Sequence, residues 1–360
     1  MDLNLLDRSL AARGEPPYRA RQVWEWAARG AGSYEEMTNI PAALRAELER
    51  EVPLSSLAVE REDRSRDGTR KALLRTADDR PVEAVLMTYL DGRRSVCVSS
   101  QSGCPLTCAF CATGAMRFGR NLTASEILDQ VLHFKRSDNG NHLRAPSAPL
   151  HAAFGAKAPQ INHVVFMGMG EPMMNVDAVI AACERLPSVG VAASRTTVST
   201  VGWVPGIERL TADGPPVRLA LSLHAADPAL RSELMPVNDR YPLKEVLDAC
   251  RAWREARGKR VFVEYVMLAG VNDRYEQAVA LAEALVPREA FKVNLIPYNP
   301  TGAGFEGSSR SAIDAFAAAL RVHRVPVTVR LTRGRDIDAA CGQLAGAVAS
   351  RSDGAPAPAG

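Results

Sequence analysis

Two periods of apolar residues divide the first hundred residues into a helical part and a stranded part. Between residues 18 and 51 the apolar positions follow the spacing of helices, interrupted at Gly30 to Gly32 and at Pro41. Between residues 54 and 100 they follow the spacing of short strands, which we place at residues 71–76, 82–89 and 95–99. The pattern predicts a small N-terminal helical cap followed by a β-extension.

Beyond residue 160, apolar strands and amphipathic helices alternate along the chain. The strands are predicted at residues 163–167, 196–200, 217–223, 261–268, 292–297 and 325–331. The helices are predicted at residues 176–186, 204–210, 243–257, 276–285 and 312–322. Repeated βα units imply parallel strands covered by helices, so the predicted fold is α/β with a partial (β/α) barrel. In such a fold ligands gather at the carboxyl ends of the strands.

Two segments do not fit this alternation. Residues 137–160 are rich in Gly, Ala, Pro, Asn and His and are predicted to form an inserted loop, and residues 351–360 are predicted to be a frayed tail. The predicted domain boundaries are a helical accessory domain at 1–53, the β-extension at 54–94, the barrel core with a C-terminal active-site loop at 95–346, and a flexible tail at 347–360.

Three closely spaced cysteines are the strongest chemical signal in the chain. Cys104, Cys108 and Cys111 form a C-x3-C-x2-C pattern, with Phe110 directly before the last. Cubane iron-sulfur clusters are normally held by four cysteines, so three leave one iron open to a non-protein ligand. The alternative is a structural zinc site with Cys97 as the fourth ligand. Zinc sites usually contain two paired C-x2-4-C units, so the single cluster favours iron and sulfur.

Composition and charge narrow the class of protein only slightly. The 360 residues suffice for one large α/β domain, and a formal charge of +3 is too small to indicate nucleic-acid binding by itself. Seven cysteines with three clustered fit a reducing compartment. Charged residues among the first fourteen interrupt any apolar leader, and no apolar run approaches the ~20 residues that span a bilayer. We therefore expect a soluble, cytoplasmic protein without membrane contact.

Small and polar residues follow several of the predicted barrel strands. Residues 168–172 read Gly-Met-Gly-Glu-Pro, where glycines allow close backbone approach and Glu171 could accept a hydrogen bond from a ligand ammonium. Ser199 and Ser222 end the next two strands, and His224 follows the second. Because these positions meet at the same end of a barrel, they predict one shared ligand site.

Five stretches of the chain together resemble the radical S-adenosylmethionine (SAM) 23S rRNA adenine methyltransferases of the RlmN and Cfr type. They are residues 96–122, 168–172, 222–225, 294–300 and 334–344, which span nearly the whole chain. The resemblance implies a partial (β/α) barrel of the radical-SAM type. It also implies a 4Fe-4S cluster on Cys104, Cys108 and Cys111, with SAM on the open iron.

The family's reaction explains why two further cysteines are needed. Carbon 2 of adenine is electron-poor, so it is a poor nucleophile toward the methyl group of SAM. In this family one SAM methylates a cysteine, and a radical from a second SAM takes hydrogen from that S-methyl group. The S-CH2 radical then adds to the ring. Release requires loss of the ring proton to a base and attack by a second cysteine, which leaves a disulfide.

Carried over position by position, the resemblance makes Cys341 the methyl carrier and Cys97 the resolving thiol, which form a transient disulfide with each other. Glu83 matches the proton acceptor, although its spacing to Cys97 contains one extra residue. The positions that match SAM contacts are Gly170, Glu171, Ser199, Ser222, Leu223, His224 and Asn299.

The resemblance also implies partners and leaves alternatives. The expected substrate is carbon 2 of an adenine in 23S rRNA, with an adenine in tRNA as a second substrate. An electron donor such as flavodoxin or ferredoxin is expected, and the chain is expected to be a monomer. The alternatives are methylation of carbon 8, as in the resistance-type relatives, another radical-SAM reaction that would not need Cys341, and a zinc-stabilised RNA-binding protein.

The remaining cysteines and the tryptophans of the cap are predicted to pack rather than react. Cys183 and Cys250 lie on apolar helical faces, as buried packing cysteines do. Trp24 and Trp26 belong to a helical apolar stripe, so core packing is favoured over base stacking.

Overall fold

A ten-stranded sheet organises the protein in a computed structural model that describes residues 1–140 and 160–344. The strands of this sheet are β1 Leu57–Arg64, β2 Arg70–Thr76, β3 Pro81–Thr88, β4 Arg94–Cys97, β7 His163–Phe166, β8 Thr196–Thr200, β9 Arg218–Ser222, β10 Val261–Met267, β11 Phe291–Pro297 and β12 Val327–Val329. A separate two-stranded ribbon consists of β5 Gln101–Ser102 and β6 Arg120–Asn121.

The sheet changes from antiparallel to parallel at β4. Strands β1 to β4 pair antiparallel, as expected for the predicted β-extension. From β4 through β7 to β12 every neighbouring pair is parallel. Within the described residues β1 and β12 are the two edges and do not pair with each other, so the sheet is open. The predicted α/β fold with a partial barrel is confirmed.

Helices cover the outer face of this sheet. They are α1 Leu3–Ala12, α2 Tyr18–Arg29, α3 Ala42–Glu51, α4 Ala124–Gly140, α5 Val176–Val189, α6 Val204–Asp213, α7 Pro228–Leu234, α8 Val237–Arg240, α9 Leu243–Arg257, α10 Tyr275–Ala284 and α11 Arg310–Val322. Most of their apolar faces share one core with outward strand residues such as Val96, Val164 and Val198. The cap helices α1 to α3 belong to the same core. Helices α7 and α8 instead place Leu234 and Val237 in a second apolar cluster.

The inner face of the sheet is polar. Directly paired residues share a face, and side chains alternate along a strand. The pairs Val85 with Cys97, and Ser222 with Glu264, therefore place these residues on one face. By the same register this face carries Lys71, Glu83, Cys97, Ser199, Ser222, Glu264, Asn294 and Arg330. A polar interior is unusual for a barrel core and indicates a ligand site.

Several elements differ from the sequence-based prediction. Helices α1 and α4 and strand β1 were not predicted, although Ile127, Leu128, Val131 and Leu132 in α4 have helical spacing. Helix α4 ends at Gly140, so the predicted loop at 137–160 is wrong for its first four residues. The rest of that loop up to residue 159, and the predicted tail, lie outside the described residues. Strand β12 is shorter than the predicted 325–331.

The packing predictions for the cap and the isolated cysteines are confirmed. Trp24 is buried, and its indole Nε1 donates to the Ser188 hydroxyl at 2.9 Å. Cys183 and Cys250 are fully buried among apolar side chains. Among the described residues, no helix combines the length and apolar character needed to cross a membrane.

Candidate active site

The three clustered cysteines, Cys104, Cys108 and Cys111, lie in the loop after β5, which we call the cluster loop. They line a single cavity at the carboxyl ends of the parallel strands. The loop is tight, since a Cβ at Gly114 would lie 2.9 Å from the Cys108 carbonyl oxygen. Burial raises the pKa of Cys104 to about 12, and burial together with the neighbouring thiols raises that of Cys108 well above its usual value. Ionisation of these thiols therefore needs a strong positive partner such as cluster iron.

The donor set fits an iron-sulfur cluster better than zinc. Within the described residues no three His, Cys, Asp or Glu side chains are close enough to share one metal ion. A cubane does not require this, because each thiolate binds a different iron. Cys97, the fourth ligand of the zinc alternative, lies instead in an apolar cluster with Val85, Met169, Ala339 and Leu344.

Glu171 presents a buried carboxylate to the same cavity. Its Oε1 accepts from the Met173 N–H and its Oε2 from the Val201 N–H, both at 2.9 Å. Burial is the main reason that the pKa of Glu171 rises to about 7, although these hydrogen bonds lower it. Gly170 has φ +94°, and a Cβ there would lie 2.4 Å from the Gln101 Cβ. A side chain at position 170 would therefore push the Glu171 loop out of place.

The other predicted SAM contacts converge on the cavity, with one exception. The hydroxyls of Ser199 and Ser222 lie 3.3 Å apart on neighbouring strands. His224 Nδ1 accepts from the Val266 N–H at 3.0 Å, and burial lowers the pKa of His224 to about 3. The ring is therefore neutral, with its proton on Nε2. The side chain of Leu223 instead packs in the apolar core, so only its backbone can contact a ligand there.

The Cys341 segment, residues 334–344, follows β12 and forms one wall of the cavity, which Cys341 and Gly342 line. Asn299 Nδ2 donates to the Cys341 carbonyl at 3.3 Å, and the Ala112 N–H donates to the Gly342 carbonyl at 2.8 Å. Arg335 Nε donates to Asn299 Oδ1 at 3.0 Å. Cys341 itself is exposed and lines the cavity. The structure thus brings Cys341 and the cluster loop together from distant parts of the chain.

Cys97 on β4 and Glu83 on β3 lie where the first strands of the sheet contact the Cys341 segment. Glu83 is fully buried on β3, with Lys71 Nζ 3.5 Å from its Oε1. The same ammonium donates to the Asp338 carbonyl of the Cys341 segment at 3.2 Å. Burial, with the neighbouring Cys341 adding to it, raises the pKa of Cys97 to about 12. All seven cysteines of the chain are free thiols in this structure.

Three charged residues of the inner face, Lys71, Glu264 and Arg330, were missed by the sequence reasoning. Lys71 joins Glu83 to the Cys341 segment, as described above. Arg330 lines the cavity, and its Nη1 lies 3.2 Å from Glu264 Oε2. Burial opposes its charge, but Cys341 and Glu264 outweigh that effect and raise the pKa of Arg330 above its usual range. The sequence offered one signal for these residues, because each is a charged residue at an inward-facing position of a strand or directly after a strand.

Comparisons with known proteins agree with this geometry. Residues 98–282 match the family model of the radical SAM superfamily, and residues 1–53 match that of the ribosomal RNA large subunit methyltransferase N-terminal domain. A probable dual-specificity RNA methyltransferase RlmN of Moorella thermoacetica is 46% identical over 93% of this chain and 93% of its own length. The dual-specificity RNA methyltransferase RlmN of an Anaeromyxobacter species is 43% identical over 96% of this chain and 89% of its own length.

A solved structure shows the same architecture. The crystal structure of a radical SAM methyltransferase from Sphaerobacter thermophilus superposes with a TM-score of 0.85 at 43% identity, covering 96% of this chain and 98% of the other. The open parallel barrel, the three-cysteine loop and these matches define a radical-SAM enzyme. Within that class, the chain belongs to the RlmN family of SAM-dependent RNA methyltransferases.

Gly334, at the start of the Cys341 segment, provides a test of how closely that segment must be held. Gly334 and Gly258 share a φ of +65°, which costs an L-residue ~1–2 kcal/mol. A Cβ at 334 would also lie 2.8 Å from the Ala339 Cβ and 2.9 Å from the Thr69 Cγ2, whereas one at 258 meets nothing within 4 Å. We expect Gly334→Ala to lower the methylation rate by ~10- to 100-fold through displacement of Cys341.

Gly258→Ala is the matched control, because it introduces the same backbone strain far from the cavity. It should lower the thermal midpoint of unfolding through this strain alone and leave the methylation rate unchanged. Equal methylation rates for the two variants would show that the Cys341 segment tolerates displacement.

Proposed function

We propose that this enzyme methylates carbon 2 of an adenine in 23S rRNA and, as a second substrate, an adenine in tRNA. The relatives named as dual-specificity RNA methyltransferases support the RNA substrate class. The observation that carries the proposal is the position of Cys341. Cys341 lines the cavity of the three clustered cysteines, and its chain neighbours Ala339 and Leu344 pack in one apolar cluster with Cys97. Lys71, which lies beside Glu83, donates to the Asp338 carbonyl of the same segment.

In this proposal, different residues of the cavity bind the cluster and SAM. Cys104, Cys108 and Cys111 would hold the 4Fe-4S cluster, which with bound SAM supplies a 5'-deoxyadenosyl radical. Glu171 accepts from the SAM ammonium. Its pKa of about 7 leaves a substantial ionised fraction at neutral pH, and a cation beside it increases that fraction. Gly170, Ser199, Ser222, the Leu223 backbone, His224 and Asn299 complete the SAM contacts.

Cys341 performs the carbon transfer. Its thiolate first takes the methyl group of one SAM, which leaves as S-adenosylhomocysteine. The 5'-deoxyadenosyl radical from a second SAM then takes a hydrogen atom from the S-methyl group and becomes 5'-deoxyadenosine, and the S-CH2 radical adds to the adenine ring. One electron passes from the adduct to the oxidised form of an electron carrier of the flavodoxin or ferredoxin kind, Glu83 accepts the ring proton, and the C–H electron pair remains in the ring. Lys71 Nζ, 3.5 Å from Glu83 Oε1, forms an ion pair with this buried carboxylate.

Cys97 completes the reaction by resolving the adduct. Its sulfur attacks the Cys341 sulfur and the thiol proton is released, the S–S bond forms, and the S–CH2 bond breaks with its electron pair passing to carbon. That carbon gains a proton and becomes the methyl group. A reductant must then restore both thiols before the next turnover.

Nucleoside analysis tests the proposed position and substrate. Reconstituted enzyme is incubated with SAM, a reductant and 23S rRNA fragments or tRNA, and the digested nucleosides are separated by mass spectrometry. We expect 2-methyladenosine, and we expect less from fragments that lock the target adenine in a duplex, because its edge is then inaccessible. Recovery of 8-methyladenosine instead would assign the chain to the carbon 8 reaction, and no methylated adenosine would contradict the proposal.

Cys97→Ala should trap protein covalently bound to RNA. The variant can still form the adduct, but it lacks the thiol that attacks Cys341. We expect a slower-migrating protein–RNA species on a denaturing gel, removed by ribonuclease, with turnover lost. Cys183→Ala is the control, since Cys183 is also buried but packs among helices. Normal turnover by Cys97→Ala without a trapped species would make Cys97 structural.

A further inference from the structure

Arg231 on α7 is a buried cation without a counter-ion among the described residues. Its side chain is fully buried. Nη1 donates to Asn238 Oδ1 and Nη2 to the Val201 carbonyl, both at 2.7 Å, and both acceptors are neutral. Nε makes no hydrogen bond within the described residues. A buried charge without an opposite charge is costly, so an anion nearby is expected when the enzyme is complete.

The cluster loop, which contacts the same helix, is the candidate for that anion. The Ala109 N–H, between two of the clustered cysteines, donates to the Leu234 carbonyl at the end of α7 at 3.0 Å. Cys108 packs in the same apolar cluster as Leu234 and Met235. Val201, whose carbonyl accepts from Arg231, lines the same cavity as Cys108. Arg231 therefore lies on the protein side of the cluster loop, behind Cys108.

We propose that Arg231 is the fixed positive charge that compensates the iron-sulfur cluster and raises its reduction potential. A cluster with three thiolates is anionic, and reduction adds one further negative charge. A buried guanidinium behind Cys108 stabilises the reduced form more than the oxidised form, because attraction grows with the charge of the cluster and is strong at low dielectric. This inference rests on the radical-SAM class of the enzyme and not on the proposed RNA substrate.

A purely structural role for Arg231 is the competing explanation. The Val201 peptide accepts from Arg231 through its carbonyl and donates to Glu171 Oε2 through its N–H. Loss of Arg231 could therefore disturb the SAM site without any effect on the cluster. The test must separate the charge of residue 231 from its hydrogen bonds.

Two substitutions make this separation. Arg231→Gln keeps a hydrogen-bond donor and removes the charge, whereas Arg231→Lys keeps the charge and removes the planar fork. Arg257→Gln is the control, because the Arg257 guanidinium also donates to two backbone carbonyls, those of Leu210 and Thr211, and its Nε also has no partner within the described residues. It binds the end of α6, before β9 begins, at the opposite end of the parallel strands from the cluster loop.

The measurement is the midpoint potential of the reconstituted cluster, followed by electron paramagnetic resonance during redox titration of full-length protein. We expect a more negative midpoint for Arg231→Gln, with Arg231→Lys and Arg257→Gln close to the parent enzyme. Equal midpoints for the parent, Arg231→Gln and Arg231→Lys would overturn the proposal. So would a lysine variant that shifts as far as the glutamine variant, since hydrogen bonding and not charge would then matter.

A second measurement is used if Arg231→Gln loses its cluster, because its midpoint potential cannot then be measured. Iron and sulfide bound per protein after identical reconstitution should be high for Arg231→Lys and low for Arg231→Gln if charge compensation holds the cluster. Equally low iron content in the two variants, together with unfolding midpoints equal to that of the parent before reconstitution, would contradict the proposal, because the charge kept in Arg231→Lys would then make no difference.

Discussion

Replacement of Cys341 by alanine should stop RNA methylation while the cluster and the cleavage of SAM remain. Cys341 is the exposed thiol at the cavity, and in the proposed reaction every carbon–sulfur bond forms on it. Removal of a reacting nucleophile typically lowers a rate on the order of 10^4-fold or more. The methylated nucleoside should therefore fall below detection, and 5'-deoxyadenosine should still be produced.

The measurement pairs two assays on one sample, methylated nucleoside by mass spectrometry and 5'-deoxyadenosine by chromatography. In the parent enzyme, peptide mapping should find S-methylation on Cys341 alone. Cys183→Ala is again the control and should retain both products. Methylated RNA from Cys341→Ala would remove the basis of the two-cysteine mechanism.

Replacement of any one of the three clustered cysteines by alanine should abolish both reactions. Cys104, Cys108 and Cys111 line one cavity, and two thiolates cannot replace three in holding a cluster with one open iron. Anaerobically reconstituted parent enzyme should be brown, and each variant should be pale, with little bound iron and no 5'-deoxyadenosine.

Cys250→Ala is the matched control for the cluster variants, because Cys250 is fully buried on α9 and lines no part of the cavity. Its iron content and SAM cleavage should equal those of the parent. A colourless parent protein that carries one zinc ion after anaerobic purification would revive the zinc alternative. That result would also contradict the iron-sulfur basis of the Arg231 proposal.

The three classes of cysteine variant therefore stall at different points. Cluster variants lose SAM cleavage and RNA product, Cys341→Ala loses only the RNA product, and Cys97→Ala accumulates a covalent adduct. A purely structural role for these cysteines would not produce this order, because general loss of folding lowers all three signals together.

Local patterns predicted those parts of the molecule that depend on short stretches of chain. The period of apolar residues located the parallel strands within a few residues, because burial of one or both faces of a strand determines which of its consecutive residues are apolar. The C-x3-C-x2-C loop and the Gly-Met-Gly-Glu-Pro turn were visible for the same reason. Helix α4 was missed although its apolar spacing was present, and β1 was missed because most of its residues are exposed and carry no alternation.

The likeness of motifs to a known family indicated roles for Cys97, Cys341 and Glu83, but no local pattern places them together. The sheet register puts Cys97 and Glu83 on one face, and the loop after β12 returns Cys341 to it. Lys71 beside Glu83, Arg330 beside Glu264 and Arg231 behind the cluster loop all have partners from other elements.

The sequence by itself thus determined the kind of fold, through the period of its apolar residues, and the class of enzyme, through the likeness of several motifs to a known family, and it predicted the three-cysteine loop as the cluster site. Only the tertiary structure decided which charges surround the reacting groups. Those contacts form between segments far apart in the chain, and they depend on strand register and loop closure, which are set by the packing of the whole core and not by neighbouring residues.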